Sequence, residues 1–591
     1  GAREEEEEED DEDDYVPSPG AETDSDASSD MEEGEHIRFS YADFAGWVNR
    51  GGGLGRLVAL INERRNDDEE DDEPAVDTTE LSNWLVPVIP LVAEASVVEP
   101  EYNPRSASEL SLHAHYHSKA EMIVAVGMWN MKHGAQAKVS RSDSKRVYFI
   151  CKHSVRCPFQ VRASSRDGKY WGVHTFERQH TCHGEMGRVL QVKAHSNVVA
   201  AYLANKIYDE CANITPKTVV LELQRAFGVS ISYDLALRSR NRAIEMIYGR
   251  YDQSFEMLPS YLYMMRRANP ASWVKHEVDG DGRFKQLFIA LGATRSCFMW
   301  AIRPVIAVDG THLKAKNHGI LFVAVAKDGN EQIYPLAYGV GPKENDDSWK
   351  WFLAKLRDAY GLTESVVIVS DQHKSIINAV RSEMPNATHA YCYYHLLQKI
   401  KHYGPFVVAA YREAAYTTDV TEFGRAMDTM SGLNDTVYQK LMFELGPEKW
   451  ARSQCPEKRY SFMTSNAAES FNARLLWARR LPICSMLEAI RKVMGEWFGE
   501  RLAKAQGSNA RLTEEAHRKI ATEVQRSRHY TAERIKQRKF RVGTEERRFL
   551  VNLRKRECEC GAFQLDELPC AHAIAAIRYS LMGVFDKVSC M

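Results

Sequence analysis

Three carboxylates far apart in the chain end or open apolar segments. Asp309 closes the run Pro304-Val-Ile-Ala-Val308, within Val308-Asp-Gly-Thr-His-Leu-Lys314. Asp371 closes Val366-Val-Ile-Val-Ser370, and Glu469 lies in Ser465-Asn-Ala-Ala-Glu-Ser-Phe-Asn472, at the start of what reads as a long helix. Oxygen-only ligands suit Mg2+ or Mn2+, and three converging carboxylates can hold two such ions about 3.5–4 Å apart. The chemistry would be in-line phosphodiester displacement: one ion activates water or a DNA 3′-hydroxyl, the other stabilises the leaving oxygen. Each residue also has an ordinary alternative. Asp309-Gly310 reads as a β-turn, Asp371 as the N-cap of the next helix, and Glu469 as a capping-box partner of Asn466.

Two further clusters pair thiols with imidazoles. Cys151 and Cys157 precede His180-x-Cys182 by 22 residues, and Cys558-x-Cys560 precedes Cys570-x-His572 by nine. Each set offers four ligands of the softness and number that tetrahedral Zn2+ takes. His153, His174 and His183 compete at the first site and read better as surface residues. Lys152, Arg156, Arg162, Arg166 and Arg178 give it basic surroundings, while Arg547, Arg548, Arg554, Lys555 and Arg556 precede the second, as a phosphate-contacting patch or as a solvated basic face.

The elements that must position these residues follow an α+β multidomain pattern. Short β-rich runs (147–151, 159–162, 170–174) predict a small β-rich zinc domain over 106–190. Helical spacing then predicts helices over 198–208, 216–227 and 233–248, the last carrying Arg238, Arg240 and Arg242. Residues 191–283 thus read as a helical linker or a helix-turn-helix. Residues 284–395 predict strands at 284–290, 304–308, 321–326 and 333–338 in an antiparallel meander. A helix over 348–360, a strand over 366–370, a helix over 375–383 and a strand over 390–394 follow. This is the order of an RNase H-like core, in whose sheet the first and fourth strands are neighbours, so Asp309 and Asp371 would emerge side by side. Residues 396–460 read as a helical insertion, 461–540 as the Glu469 helix and C-terminal helices, and 541–591 as the second zinc module.

The chain has 591 residues, too many for one hydrophobic core. Of its 81 acidic and 77 basic residues, positions 1–100 hold 31 and 6, a net of −25 that leaves +21 on the remainder. Segment 1–105 cannot bury enough apolar surface to fold and is expected to be acidic and largely disordered, either masking the basic surface or only solubilising it. The basic body suits a polyanion. The most apolar stretch, Leu85–Val98, contains Pro87, Pro90 and Glu94, too short and interrupted to span a bilayer. Twelve cysteines without a secretory signal favour metal binding over disulfides. The absence of an initiator Met and the end just past the second zinc cluster read as a truncated fragment.

Val308-Asp-Gly-Thr-His312, Asp347-Ser-Trp-Lys-Trp-Phe352, Ser370-Asp-Gln-His373, Tyr391-Cys-Tyr-Tyr-His-Leu396 and Asn466-Ala-Ala-Glu-Ser470 together resemble the core of Mutator-like element transposases. The front cluster, with Cys157-Pro-Phe-Gln-Val-Arg162, resembles that family's WRKY-like zinc domain, and the rear one a SWIM zinc finger. The resemblance covers about residues 110–580. It implies that Asp309, Asp371 and Glu469 are the catalytic metal ligands, and that Cys392 and His395 are a hallmark pair at the active site. A zinc-ligand pair is the other reading of Cys392 and His395. The resemblance further implies a nuclear cut-and-paste DNA transposase that binds terminal inverted repeats and target DNA in double-stranded form, acting as a homodimer or higher oligomer. A domesticated relative kept as a DNA-binding transcription regulator, as in the plant far-red-response proteins, is the alternative. An RNase H-like nuclease acting on RNA is a third, with flanking modules that resemble DNA binders against it.

Overall fold

The computed structural model describes residues 109–152, 156–167, 170–181, 195–210, 214–316, 318–362, 366–507, 510 and 512–588. The acidic segment 1–105 and Cys182 lie outside these.

The first module is an antiparallel sheet of β1 (His115–Tyr116), β2 (Ala137–Ser142), β3 (Arg146–Cys151), β4 (Gln160–Ser164) and β5 (Trp171–Glu177), in the order β1-β5-β4-β3-β2. Helix α1 (Lys119–Lys132) covers it. Strand alternation drives the packing: Val147, Phe149, Val161 and Val173 are buried with Met122 and Val126 of the helix. Ser118 starts α1 by accepting the Glu121 N–H, and Glu121 in turn accepts the His117 N–H at 2.8 Å.

Helices α2 (Ser196–Glu210), α3 (Pro216–Phe227), α4 (Tyr233–Tyr248) and α5 (Tyr251–Ala268) follow. Gly228 ends α3 in the left-handed region at φ 64°, which turns the chain into α4. The basic set on α4 is not a continuous exposed row, because Arg240 is 8% exposed and donates to Asn241. Burial lowers the Arg240 pKa. The expected all-helical character of 191–283 is corrected by β6 (Trp273–Val278), which joins the central sheet.

That sheet has seven strands: β6, β7 (Phe284–Ala290), β8 (Val305–His312), β9 (Ile320–Lys327), β10 (Ile333–Gly341), β11 (Val367–Ser370) and β12 (Thr388–Tyr391). Their order is β12-β11-β8-β9-β10-β7-β6. The meander β8-β9-β10 is antiparallel, and β11 and β12 add in parallel beside β8. Strand β7 pairs with β10, not with β8. This corrects the expectation of four strands in simple succession; α6 (Gly292–Ala301) makes the crossover. Strand β12 stops at Tyr391 rather than 394, and a helix starts at Tyr393.

Period-two burial splits the core across the sheet. Ile306, Val308, Phe322 and Ala324 pack on one face with Trp349, Phe352 and Leu356 of α7 (Asp346–Tyr360) and Ile376 and Val380 of α8 (Lys374–Glu383). Val305, Ala307, Val323 and Val325 pack on the other with α13 (Asn466–Arg474) and α14 (Ile483–Gln506) through Phe471, Leu475, Met486 and Ile490. Between these lies a helical insertion of α9 (Tyr393–Ile400), α10 (Pro405–Tyr416), α11 (Val420–Leu433) and α12 (Asp435–Gln439), with its own core around Tyr411, Met427, Met430 and Trp450. The helix carrying Glu469 has nine residues, shorter than expected.

After α15 (Glu514–Ser527), residues expected to stay helical to 540 form strands. Strands β13 (Thr531–Lys536), β14 (Lys539–Gly543), β15 (Arg548–Asn552) and β16 (Glu557–Cys558) make a third sheet, with α16 (Ala562–Asp566) and α17 (Ala571–Val588). Lys- and Arg-rich strands with one apolar face, here Phe540, Val542 and Val551, resemble a polar helix in a sequence window. Among the described residues no helix is long and apolar enough to cross a membrane.

Candidate active site and metal-binding modules

Register places the two aspartates. Val305–Ala307 pair in parallel with Val367–Val369. The same offset, carried two residues on, sets Asp309 opposite Asp371, on the face of Ala307 and Val369 where α13 packs. One strand further over, Ser370 pairs with Tyr391, so Cys392 stands next to Asp371; its N–H donates to the Ser370 carbonyl at 2.7 Å. Asp309, within β8, therefore lines up across three neighbouring parallel strands with Asp371 and Cys392, which directly follow β11 and β12.

The ordinary alternatives fare differently. Asp309-Gly310 lies within β8, paired to β9 through Asp309 and Val323, so it is not a turn. Asp371 accepts the His373 N–H at 2.9 Å, a local Asx-type contact that fixes one of its oxygens, but the N-cap position of α8 is His373. Glu469 makes no capping box with Asn466; its Oε1 accepts the Ser465 hydroxyl at 2.6 Å.

Asn472, one turn after Glu469, donates through Nδ2 to Asp309 Oδ2 at 2.7 Å and ties α13 to β8. Burial pushes the Asp309 carboxyl up to about 7; this hydrogen bond opposes the rise, and the charges of Glu469, Asp371 and Glu344 add to it. Glu344 is a fourth carboxylate that the sequence reading missed. It accepts the Trp349 indole N–H at 3.2 Å, and a Cβ on Gly310 would stand 3.0 Å from its Oε1. It directly precedes Asn345, which caps α7, and no local pattern sets it apart from the acidic residues that follow. Arg479 was missed too. Its guanidinium bonds the Thr311 hydroxyl and the His312 carbonyl, clamping the end of β8.

Glu469 lies with Cys392 and His395, the ligand atoms of all three within 4.8 Å of one another. Asp309, Asp371 and Glu469 do not form such a tight group. Sharing two ions does not require it, since outer ligands of ions about 4 Å apart, each bound at about 2 Å, can stand up to about 8 Å from each other. The His395 pKa is raised to about 9, by its hydrogen bond with Cys392 first, against burial, and then by the charges of Cys392, Glu469 and Asp371. Burial alone would raise the Cys392 thiol, but hydrogen bonds from His395 and Ser465 hold it below its usual value.

At the rear module, Cys558, Cys560, Cys570 and His572 are all buried, with their ligand atoms within 4.8 Å of one another, a donor set that fits tetrahedral zinc. At the front, Cys151, Cys157 and His180 converge likewise, with Cys157 Sγ 3.5 Å from His180 Nδ1. His180 stacks on Phe159 at 4.2 Å, which orients the ring. His174 is bonded to Ser164 at 2.7 Å, away from this cluster.

The rear module is docked on the core. Thr418 donates to the Cys560 carbonyl at 2.7 Å, Glu523 accepts the Ala571 N–H at 2.8 Å, and Arg452 pairs with Asp566. Arg547, one of the basic residues read as a phosphate-contacting patch or a solvated face, instead pairs with Asp419 and Glu422 of the insertion.

The MULE transposase domain family matches residues 305–399, and the SWIM zinc finger family matches residues 549–580. Protein FAR-RED IMPAIRED RESPONSE 1 of Arabidopsis thaliana is 23% identical over 268 residues, 45% of this chain and 32% of that protein. The transposase for insertion sequence element IS256 in transposon Tn4001 of Staphylococcus aureus is 27% identical over 104 residues, 16% of this chain and 26% of that protein. The chain thus spans about a third and about a quarter of these relatives' lengths. Among solved structures, AFT2 in complex with DNA matches at 22% identity and a TM-score of 0.15, over 20% of this chain and 92% of that one. The Mos1 strand transfer complex matches at 15% identity and a TM-score of 0.13, over 47% of this chain and 81% of that one. The chain thus carries a MULE transposase domain running from β8 into α9 and a SWIM zinc finger behind it, and over 45% of its length it is similar to a far-red-impaired-response protein.

Proposed function

We propose that the chain is a DNA transposase whose RNase H-like core cuts and joins phosphodiesters at Asp309, Asp371 and Glu469. The observation that carries this reading is the register of β8 and β11, which sets Asp309 and Asp371 opposite each other under the helix bearing Glu469. These carboxylates would hold two Mg2+ or Mn2+ ions, which when bound activate the attacking oxygen and stabilise the leaving one. The crowding of Asp309 by three other carboxylates fits such a role, because divalent cations relieve like-charge repulsion. Asn472 orients Asp309, Ser465 orients Glu469, and Arg479 keeps the end of β8 in place.

Double-stranded DNA, as terminal inverted repeats and as target, is the partner that the basic body and the transposase domain support. The front module, as a WRKY-like zinc domain with Cys182 as fourth ligand, would share DNA binding with the SWIM finger. Joining two element ends would call for at least two copies, and a DNA partner would be met in the nucleus. A second reading, a regulator that binds DNA without cutting it, draws on the likeness to a relative named for a far-red response.

With Mg2+ or Mn2+, the protein is expected to nick DNA bearing its own terminal repeats. Asp309→Asn should slow nicking by on the order of a thousandfold, about 4 kcal/mol, with DNA binding unchanged. Specific binding with no cleavage under any metal condition would select the regulator.

A further inference from the structure

We propose that Cys392, His395 and Glu469 form a third metal site that takes a borderline-soft divalent ion such as zinc, distinct in chemistry from the hard-ion site beside it. Three different donors, a thiolate, an imidazole and a carboxylate, lie within 4.8 Å of one another, two of them on the first turn after β12 and the third on α13. This is the number and mixture of protein ligands that an open zinc site uses, with a fourth position left to solvent. Magnesium, by contrast, avoids thiolate.

The surroundings match a ligand set. The Ser465 N–H points at Cys392 Sγ at 3.3 Å, the kind of donor that supports a metal thiolate, and the Ser465 hydroxyl fixes Glu469 Oε1 at 2.6 Å. One residue therefore orients two of the three donors from outside. Cys392 is fully buried, so the thiol is shielded from oxidants and from competing chelators. His395 Nδ1 is also buried and has no hydrogen-bond partner. A hydrogen bond between Cys392 and His395 alone would account for two of the residues, but not for the carboxylate brought against them.

The consequence concerns Glu469, and this part rests on the transposase reading above. As placed, Glu469 groups with the sulfur and the imidazole and not with Asp309 and Asp371. Zinc bound there would hold the carboxylate on the Cys392 side. Zinc and the hard ions would then compete for a single side chain, and zinc would act as an inhibitor.

The test is metal analysis of the full chain after equilibration with limiting free zinc. Wild type should hold one more zinc per chain than Cys392→Ser and than His395→Ala. Equal zinc content in wild type and both variants would overturn the proposal. Because a variant at a buried position can misfold, anomalous scattering at the zinc edge from wild-type crystals gives an independent answer. A peak bounded by Cys392 Sγ, His395 and Glu469 supports the site; filled SWIM ligands with no density there refute it. Neither readout involves cleavage, so a protein that never nicks DNA would refute the transposase reading and leave the zinc count standing.

Discussion

At the scale of single residues, the candidate site is where side chains of like charge are forced together and given few but specific hydrogen bonds. Asp309 is buried beside three carboxylates with one donor, Asn472; burial raises its pKa first, and the neighbouring charges add to the rise. Asn472 is 4% exposed and reaches the proposed metal site through its hydrogen bond to Asp309. Asn472→Ala should weaken Mn2+ binding about 10- to 100-fold, the usual cost of losing a group that orients a metal ligand. Titration of Mn2+ binding by calorimetry checks this, and an unchanged affinity would remove Asn472 from the site. Glu344→Gln should act in the opposite sense on Asp309, lowering its pKa by removing one of the charges that raise it, and NMR titration of the Asp309 carboxyl would show the shift.

At the scale of elements, the site is a by-product of sheet register. Asp309 and Asp371 could be read from the sequence because each terminates an apolar run, and buried parallel strands are just such runs. The antiparallel β8-β9-β10 meander with β11 parallel beside β8 was legible for the same reason. Glu344 and Asn472 were not, since their importance comes from contacts across 163 residues or from a neighbour's missing Cβ, which no local pattern records. The strands from Thr531 onward were lost because charged residues on their outer face, Lys539 and Arg541 among them, outnumber the apolar signal. Helix α5 was passed over with Pro259 inside it. The element that supports the aspartates from the far side is α7, through the fully buried Trp349 against Phe322. Trp349→Ala should cost about 3–5 kcal/mol of stability in chemical denaturation. It should also loosen Glu344, whose indole partner is lost.

At the scale of the whole molecule, the SWIM module is part of the core's support and not a tethered appendage. Arg303, Lys327 and Lys519 surround Glu331 at the β9–β10 turn, and α15, which carries Lys519, also holds the SWIM module through Glu523, which accepts the Ala571 N–H. Burial alone would raise the Glu331 pKa, but the Lys519 hydrogen bond and the charges of Lys519, Lys327 and Arg303 hold it at about 2. A carboxylate lowered in the folded state stabilises it fully above its ordinary pKa, near 4.5, and loses that contribution as pH falls toward 2. Glu331→Gln should therefore lower the thermal midpoint at pH 7 and lower it much less at pH 2.5, as differential scanning calorimetry would show. Chelation of zinc should release Thr418 and Arg452 from the finger, so hydrogen exchange ought to rise in α10 and α11 as well as in β13–β16.

The most direct measurement is anomalous diffraction at the manganese edge from crystals soaked in Mn2+. Two manganese ions about 3.5–4 Å apart, one touching both Asp309 and Asp371 and the other reaching toward Glu469, are the expected result. Saturating Mn2+ with no density at Asp309 and Asp371 would contradict a metal-dependent phosphodiester chemistry at this sheet edge.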